Sequence, residues 1–152
     1  MSDSAGTPDR SAAGTGEAII RRVLDALARG DLAAFRENVA PDIVSTFVGE
    51  SEPVRGRESY MELAASFLSA FPDLHAAIHD VVECGDRVTV RLTYHGTHQG
   101  AYQGVAPTGR SVAFDSIEMY RIADGQVVEE WASFDTLGLL RQIGAIPAPD
   151  ES

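Results

Sequence analysis

Lysine is missing altogether: the 12 basic residues among the 152 are all arginines. That excludes Schiff-base catalysis and a phosphate-loop lysine. Cysteine is almost missing. With Cys84 alone, no internal disulfide can form and a thiolate metal cluster would lack ligands. Positive charge is outweighed by 23 acidic residues, which leaves a net charge of −11 and no basic tract to meet a nucleic acid or an anionic membrane. No stretch approaches the roughly 18 apolar residues of a membrane span, and the N-terminus lacks the charged-then-apolar build of a signal peptide. These absences predict a soluble, cytoplasmic protein without nucleic-acid or membrane partners. What the chain does have is 44% hydrophobic residues in a length of 152. A domain of that size hides roughly 70% of the surface its unfolded chain exposes, so one core suffices.

Residues 1–15 are mainly Ser, Ala, Gly, Thr and Asp, too poor in apolar bulk to offset the entropy of ordering, and are expected to form a disordered tail. Residues 147–152 read as a second flexible tail, and residues 16–146 as one domain. Ile20, Val23, Leu24 and Leu27 recur at helical spacing up to Gly30. Asp31 is placed to cap a short second helix with Leu32, Phe35 and Val39. Ile43 to Val48 reads as a short strand after the Pro41 break. Tyr60, Leu63, Ala64, Phe67, Leu68 and Phe71 form a helical stripe stopped by Pro72. From Leu74 the period becomes two. Gly85-Asp86 and Asp124-Gly125 are hairpin turns, the first between Leu74–Glu83 and Arg87–His98, the second between Ser111–Ile122 and Gln126–Phe134. A last helix carries Leu137, Leu140 and Ile143 before Gly144, with Asp135 placed to cap it. Helices first and an antiparallel sheet later mean α+β, and a long amphipathic helix against a twisted sheet leaves a concavity for a ligand.

Several motifs go further. Gly96-Thr97-His98-Gln99-Gly100, then Gly104-Val105-Ala106-Pro107-Thr108-Gly109-Arg110, resemble the SnoaL-like polyketide cyclase family. So do Ile122-Ala123-Asp124-Gly125-Gln126-Val127-Val128-Glu129-Glu130-Trp131, Leu139-Leu140-Arg141-Gln142-Ile143-Gly144, Ala28-Arg29-Gly30-Asp31 and Phe71-Pro72-Asp73-Leu74. The resemblance spans Gly16 to Ile146. It implies a nuclear-transport-factor-2-like cone, a curved antiparallel sheet wrapped round helices with an internal pocket, and a homodimer through the outer sheet face. It also implies a cofactor-independent enzyme of polyketide secondary metabolism, of the antibiotic-biosynthesis kind, closing a ring by intramolecular aldol chemistry on a carbonyl-rich, apolar small molecule.

That chemistry needs a base for a proton flanked by carbonyls and an acid for the accepting oxygen. One desolvated carboxylate, its pKa raised toward the working pH, can serve as both. In the family the proton-transferring residue is an Asp just after the position of Trp131; here it is Ala132. Two nearby acids are candidates to replace it. Glu130 shares a strand face with Ala132, and Glu118 stands where the cyclases carry a polar pocket residue. Two carboxylates close together in an apolar pocket cannot both ionise easily, which supplies an acid and a base together. His98 is a third candidate, as a donor to a substrate carbonyl, or else an anchor for the loop from Gln99 to Arg110. Phe47, Tyr60, Phe67, Tyr94, Ser116, Tyr120, Ala132 and Phe134 are expected to line the pocket. Glu130 and Glu118 have plain alternatives as exposed strand residues. Trp131 should pack in a core or an interface. His75 and His79 lie in a strand that holds them too far apart for a shared metal. Isomerisation, dehydration or epoxide opening on the same scaffold, a pericyclic closure steered by shape, and a non-catalytic binding or dimerisation module remain the alternatives.

Overall fold

The computed structural model describes residues 15–150. The expected disordered tail therefore lies outside the described residues except for Thr15, which opens the first helix. The order is α1 (Thr15–Ala28), α2 (Leu32–Glu37), β1 (Val39–Phe47), β2 (Val54–Arg55), α3 (Arg57–Ala70), β3 (His75–Cys84), β4 (Arg87–Thr97), β5 (Ser111–Ala123), β6 (Gln126–Phe134) and α4 (Thr136–Gln142). The six strands form one curved, unclosed sheet in the order β2-β1-β6-β5-β4-β3. Helices α1 and α3 pack on it around the buried Ile19, Ile20, Val23, Leu24, Tyr60 and Phe71. No described helix is long and apolar enough to cross a membrane.

Local chemistry explains the boundaries. The N-terminus of α1 is capped from the sheet, because Glu83 accepts the backbone N–H groups of Gly16 and Glu17 at 3.0 and 3.2 Å. Asp31 caps α2 through the N–H of Ala34. Asp135 caps α4 through that of Gly138. Asp124 and Gly125 both have positive φ, 51° and 75°, the pair a two-residue primed turn demands.

Four differences from the sequence reading have clear causes. Val39 ends no helix; it starts β1, which runs through Pro41. The proline is tolerated because the β1–β6 register is irregular between Val39 and Val44, so its missing N–H costs no ladder bond. The sheet is mixed, since β1 runs parallel to β6 while the other four pairings are antiparallel. Alternation along a strand carries no information on direction. Last, Leu137 is 52% exposed, and α4 docks through Leu139 and Ile143, one turn apart.

Candidate active site

The site is built on the inner face of β1, β6, β5 and β4. Two cross-strand rows carry it: Ser45–Glu130–Tyr120–Val88, and Phe47–Ala132–Glu118–Val90. A β-bulge decides which glutamate takes part. Ile122 pairs with Val127 but Arg121 pairs with Glu129, so Val128 is an extra residue in β6. Val127 faces inward, and plain alternation from there would point Glu129 inward too. The inserted residue reverses the phase, as bulges do beside active sites. Glu130, Ala132 and Phe134 face the interior, and Glu129 turns out to pair with Arg121.

Glu118 is fully buried and Glu130 is 4% exposed. Among the described residues neither is paired with a cation. Glu118 Oε1 accepts the hydroxyls of Tyr94 at 3.0 Å and Ser116 at 2.9 Å, and its Oε2 accepts that of Tyr120. Glu130 Oε2 accepts the Ser45 hydroxyl. Burial raises both carboxyls above their ordinary range. For Glu118 the hydroxyls of Tyr120, Ser116 and Tyr94 oppose the rise. For Glu130 the charge of Glu118 adds to it, the hydroxyls of Ser45, Tyr60 and Tyr120 oppose it, and the carboxyl is pushed up to about 7. Burial likewise holds Tyr60, Tyr94 and Tyr120 well above the ordinary phenol value, so all three stay protonated donors. The arrangement is two carboxyls in a cage of hydroxyls, with one of them poised to gain or lose a proton near neutrality.

An apolar slot runs over this cage. Its cavity volume is only about 60 Å³. Of the residues expected on its walls, Phe47, Tyr60, Phe67, Tyr94, Tyr120 and Phe134 are there, with Glu130. Ser116 and Ala132 lie on the same sheet face beneath it, beside Glu118, which the slot reaches only through the hydroxyls of Tyr94 and Tyr120. The structure thus brings the two glutamates together but gives them different positions: Glu130 borders the slot, and Glu118 stands behind it.

His98 is not brought into this group. It lies just beyond β4, fully buried, where its Nδ1 meets the Thr108 hydroxyl at 3.0 Å and accepts the Thr108 N–H at 3.3 Å. Its Nε2 has no partner among the described residues, and its ring packs on Phe71. This is the loop-anchoring place. Trp131 faces outward, with the Arg87 guanidinium 5.2 Å above its ring. His79 bonds the Thr93 hydroxyl at 2.8 Å, His75 stacks on His95, and no group of three potential metal ligands exists among the described residues. Sequence reasoning missed Ser45 and Phe114. Ser45 was within reach, since it lies two residues before the wall residue Phe47 and so shares its face.

A curved, unclosed sheet packed on helices, with Glu130 bordering an apolar slot and Glu118 behind it, is the frame against which the chain's relatives are compared. The chain belongs to the SnoaL-like polyketide cyclase family, whose model matches residues 17–143, and it is an enzyme of that cyclase kind. The aklanonic acid methyl ester cyclase AcmA of Streptomyces galilaeus is 28% identical over 129 residues, 84% of this chain and 89% of that protein. The nogalonic acid methyl ester cyclase of Streptomyces nogalater is 29% identical over 119 residues, 76% of this chain and 86% of that one. Among solved structures, AclR, a candidate hydroxylase from Streptomyces galilaeus, matches with a TM-score of 0.80 at 33% identity, covering 90% of this chain and 85% of that one. IdmH, a candidate polyketide cyclase from Streptomyces antibioticus, matches with a TM-score of 0.75 at 33% identity, covering 86% and 99%.

Proposed function

We propose that the protein closes a ring in a carbonyl-rich polyketide by aldol addition, with Glu130 as the proton carrier and Glu118 as its buried partner. The observation that supports this reading is the carboxyl pair itself, buried without a cation among the described residues, with Glu130 at the slot and Glu118 behind it. Ionised Glu130 takes a proton from a carbon between two carbonyls. The enolate carbon then forms the new C–C bond to a second carbonyl, whose electron pair moves to oxygen. Protonated Glu130 returns the proton to that oxygen, so the carboxylate is regenerated and no redox partner is consumed. Glu118 raises the basicity of Glu130 by its charge, and the hydroxyls of Tyr94 and Tyr120 connect it to the slot. Ala132, at the position where the family resemblance leads one to expect an Asp, pairs across the ladder with Glu118, so a carboxyl still stands beside that place on the next strand. His98 contributes by holding the loop behind α3, and a direct role in the chemistry has no contact to support it.

The test uses aklanonic and nogalonic acid methyl esters, the compounds for which the relatives are named. Glu130→Gln and Glu118→Gln should each abolish most ring closure, and full activity in both variants would remove the carboxyls from the mechanism. The likeness to AclR supports one second reading, hydroxylation. Oxygen-18 gas separates the two, because aldol closure takes up no label. The proposal includes a homodimer through the outer sheet face. The exposed side chain of Ile117 there supports it, and sedimentation equilibrium tests it.

A further inference from the structure

A negative charge that develops on a substrate oxygen in the slot has few donors to meet it. Among the described residues that line the slot, none is an arginine, a histidine, an amide or a small hydroxyl. Besides Glu130, the polar groups there are the phenols of Tyr60, Tyr94 and Tyr120. A phenol has one proton to donate. Tyr94 and Tyr120 both give theirs to Glu118, and Ser116 adds a third donor to the same carboxyl. Tyr60 is different. Its hydroxyl is not among the donors to Glu118 and bears on Glu130, the carboxyl that borders the slot.

The helical wall holds that phenol in place. The start of α3 is pinned to β1 twice: the Gly56 N–H bonds the Ile43 carbonyl at 2.8 Å, and the Arg57 guanidinium bonds that of Val39 at 3.2 Å. Tyr60 follows one turn later, with its N–H on the Gly56 carbonyl at 3.1 Å. Its ring stacks on Phe35 of α2, with 5.7 Å between centroids and 22° between planes. Burial and the charges of Glu130 and Glu118 hold the phenol well above its ordinary value, so it donates a hydrogen bond without surrendering its proton. Charge moves during the proposed step. It starts on the Glu130 carboxylate and, once that group takes the substrate proton, lies on the enolate oxygen. A fixed donor beside the carboxylate that also borders the slot can serve both places in turn. A bond that strengthens as charge arrives lowers the barrier.

We propose that Tyr60 is a catalytic hydrogen-bond donor, whose hydroxyl leaves Glu130 for the enolate oxygen of the substrate as the proton moves from carbon to the carboxylate. The phenol keeps its own proton throughout, so nothing is added to the balance of the step. The inference rests on the proposed cyclase reading for the order of events, but the donor can be tested without ring closure. The probe is carbon-13-labelled propanedial, the smallest 1,3-dicarbonyl, which is an enolate at neutral pH and meets no lysine in this chain. Its binding to the full chain is followed by NMR. The native protein should bind the enolate best below about pH 7, where Glu130 is protonated and no longer repels it. Tyr60→Phe keeps the ring that stacks on Phe35 and should bind the enolate about tenfold more weakly. Ring closure supplies the second readout. With aklanonic acid methyl ester, Tyr60→Phe should lose about a hundredfold in kcat with KM little changed. That loss should persist at alkaline pH, where Glu130 is ionised in both proteins. A tyrosine that merely tuned Glu130 would give a deficit that fades as pH rises. Equal enolate binding by the native protein and Tyr60→Phe, no enolate binding by the native protein, or a fading deficit would each overturn the donor. Full ring closure by Glu130→Gln, with enolate binding still dependent on Tyr60, would overturn the cyclase mechanism and leave the oxyanion donor standing.

Discussion

Glu129 and Glu130 are neighbours in one strand and live in different worlds. Glu129 faces out and takes the Arg121 guanidinium at 2.8 Å, in a half-exposed pair. Glu130 faces in, meets hydroxyls and a second carboxyl, and has no cation partner among the described residues. The outer face as a whole follows the first pattern, with Arg91 on Asp80 and the Thr93 hydroxyl on Asp115. Exposed pairs of this sort contribute little, roughly 0–1 kcal/mol each. The inner face is costly to fold, because a buried carboxylate without a cation gives up its hydration for a few hydroxyls. Such a cost in the core, beside arginines placed on the surface, is what the proposed proton-carrying role of Glu130 would require.

The widest way to break this comparison is to neutralise both glutamates in turn. Glu130→Gln should lower kcat about a thousandfold, within the usual reach of a positioned acid/base, whereas Glu129→Gln should leave kcat unchanged; steady-state assays on the two variants decide it. Restoring an acid at Ala132 should come next. Ala132→Asp would place a third carboxyl directly across from Glu118 and should destabilise the fold by about 3 kcal/mol in urea. It should also move the acid limb of the rate profile to higher pH, because another negative charge disfavours ionisation of Glu130. Higher activity in that variant would mean that the resident glutamates do not substitute for the missing acid.

Tyr120→Phe is subtler. Its hydroxyl favours the charged form of both glutamates, so its loss should raise both and cut activity at pH 7 about tenfold, with the deficit shrinking as pH rises. Stability should also depend on pH, with a definite sign. The Glu130 carboxyl rises on folding from its ordinary 4.5 to about 7, so its contribution is fully present below 4.5 and is lost as pH climbs through about 7. Urea titrations at a series of pH values should show that decline in the native protein and a flatter profile in Glu130→Gln. The smallest effect belongs outside: Glu129→Gln should change stability by no more than about 0.5 kcal/mol.

Much of this architecture was legible in the sequence because single residues dictate it. Asp124-Gly125 announces its hairpin by tolerance of positive φ, Pro72 ends α3, and Asp31 and Asp135 cap helices with carboxylates three residues before the N–H they accept. The period-two runs placed Glu118, Tyr120 and Ser116 on one face. What alternation alone does not contain is phase across an insertion. Nothing in Gln126-Val127-Val128-Glu129-Glu130 marks Val128 as the extra residue, because the bulge is a property of two strands pairing. The inward turn of Glu130 therefore rested on the likeness to known cyclases and was settled only by the β5–β6 register. For the same reason the parallel pairing of β1 was invisible. It follows from the path of the chain through α3, and a strand reads alike in both directions. His98 shows the complementary limit: its position at the end of an apolar strand fits a cavity ligand and a loop anchor equally, and only the Thr108 contacts distinguish them.

The central claim is that the interior holds the Glu130 carboxyl near neutrality. Carbon-13 NMR of protein labelled at glutamate side-chain carboxyls, with Glu130→Gln to assign the resonance, measures this directly. The account predicts a titration midpoint of about 7, and a midpoint between 4 and 5, roughly the range of an exposed glutamate, would contradict it.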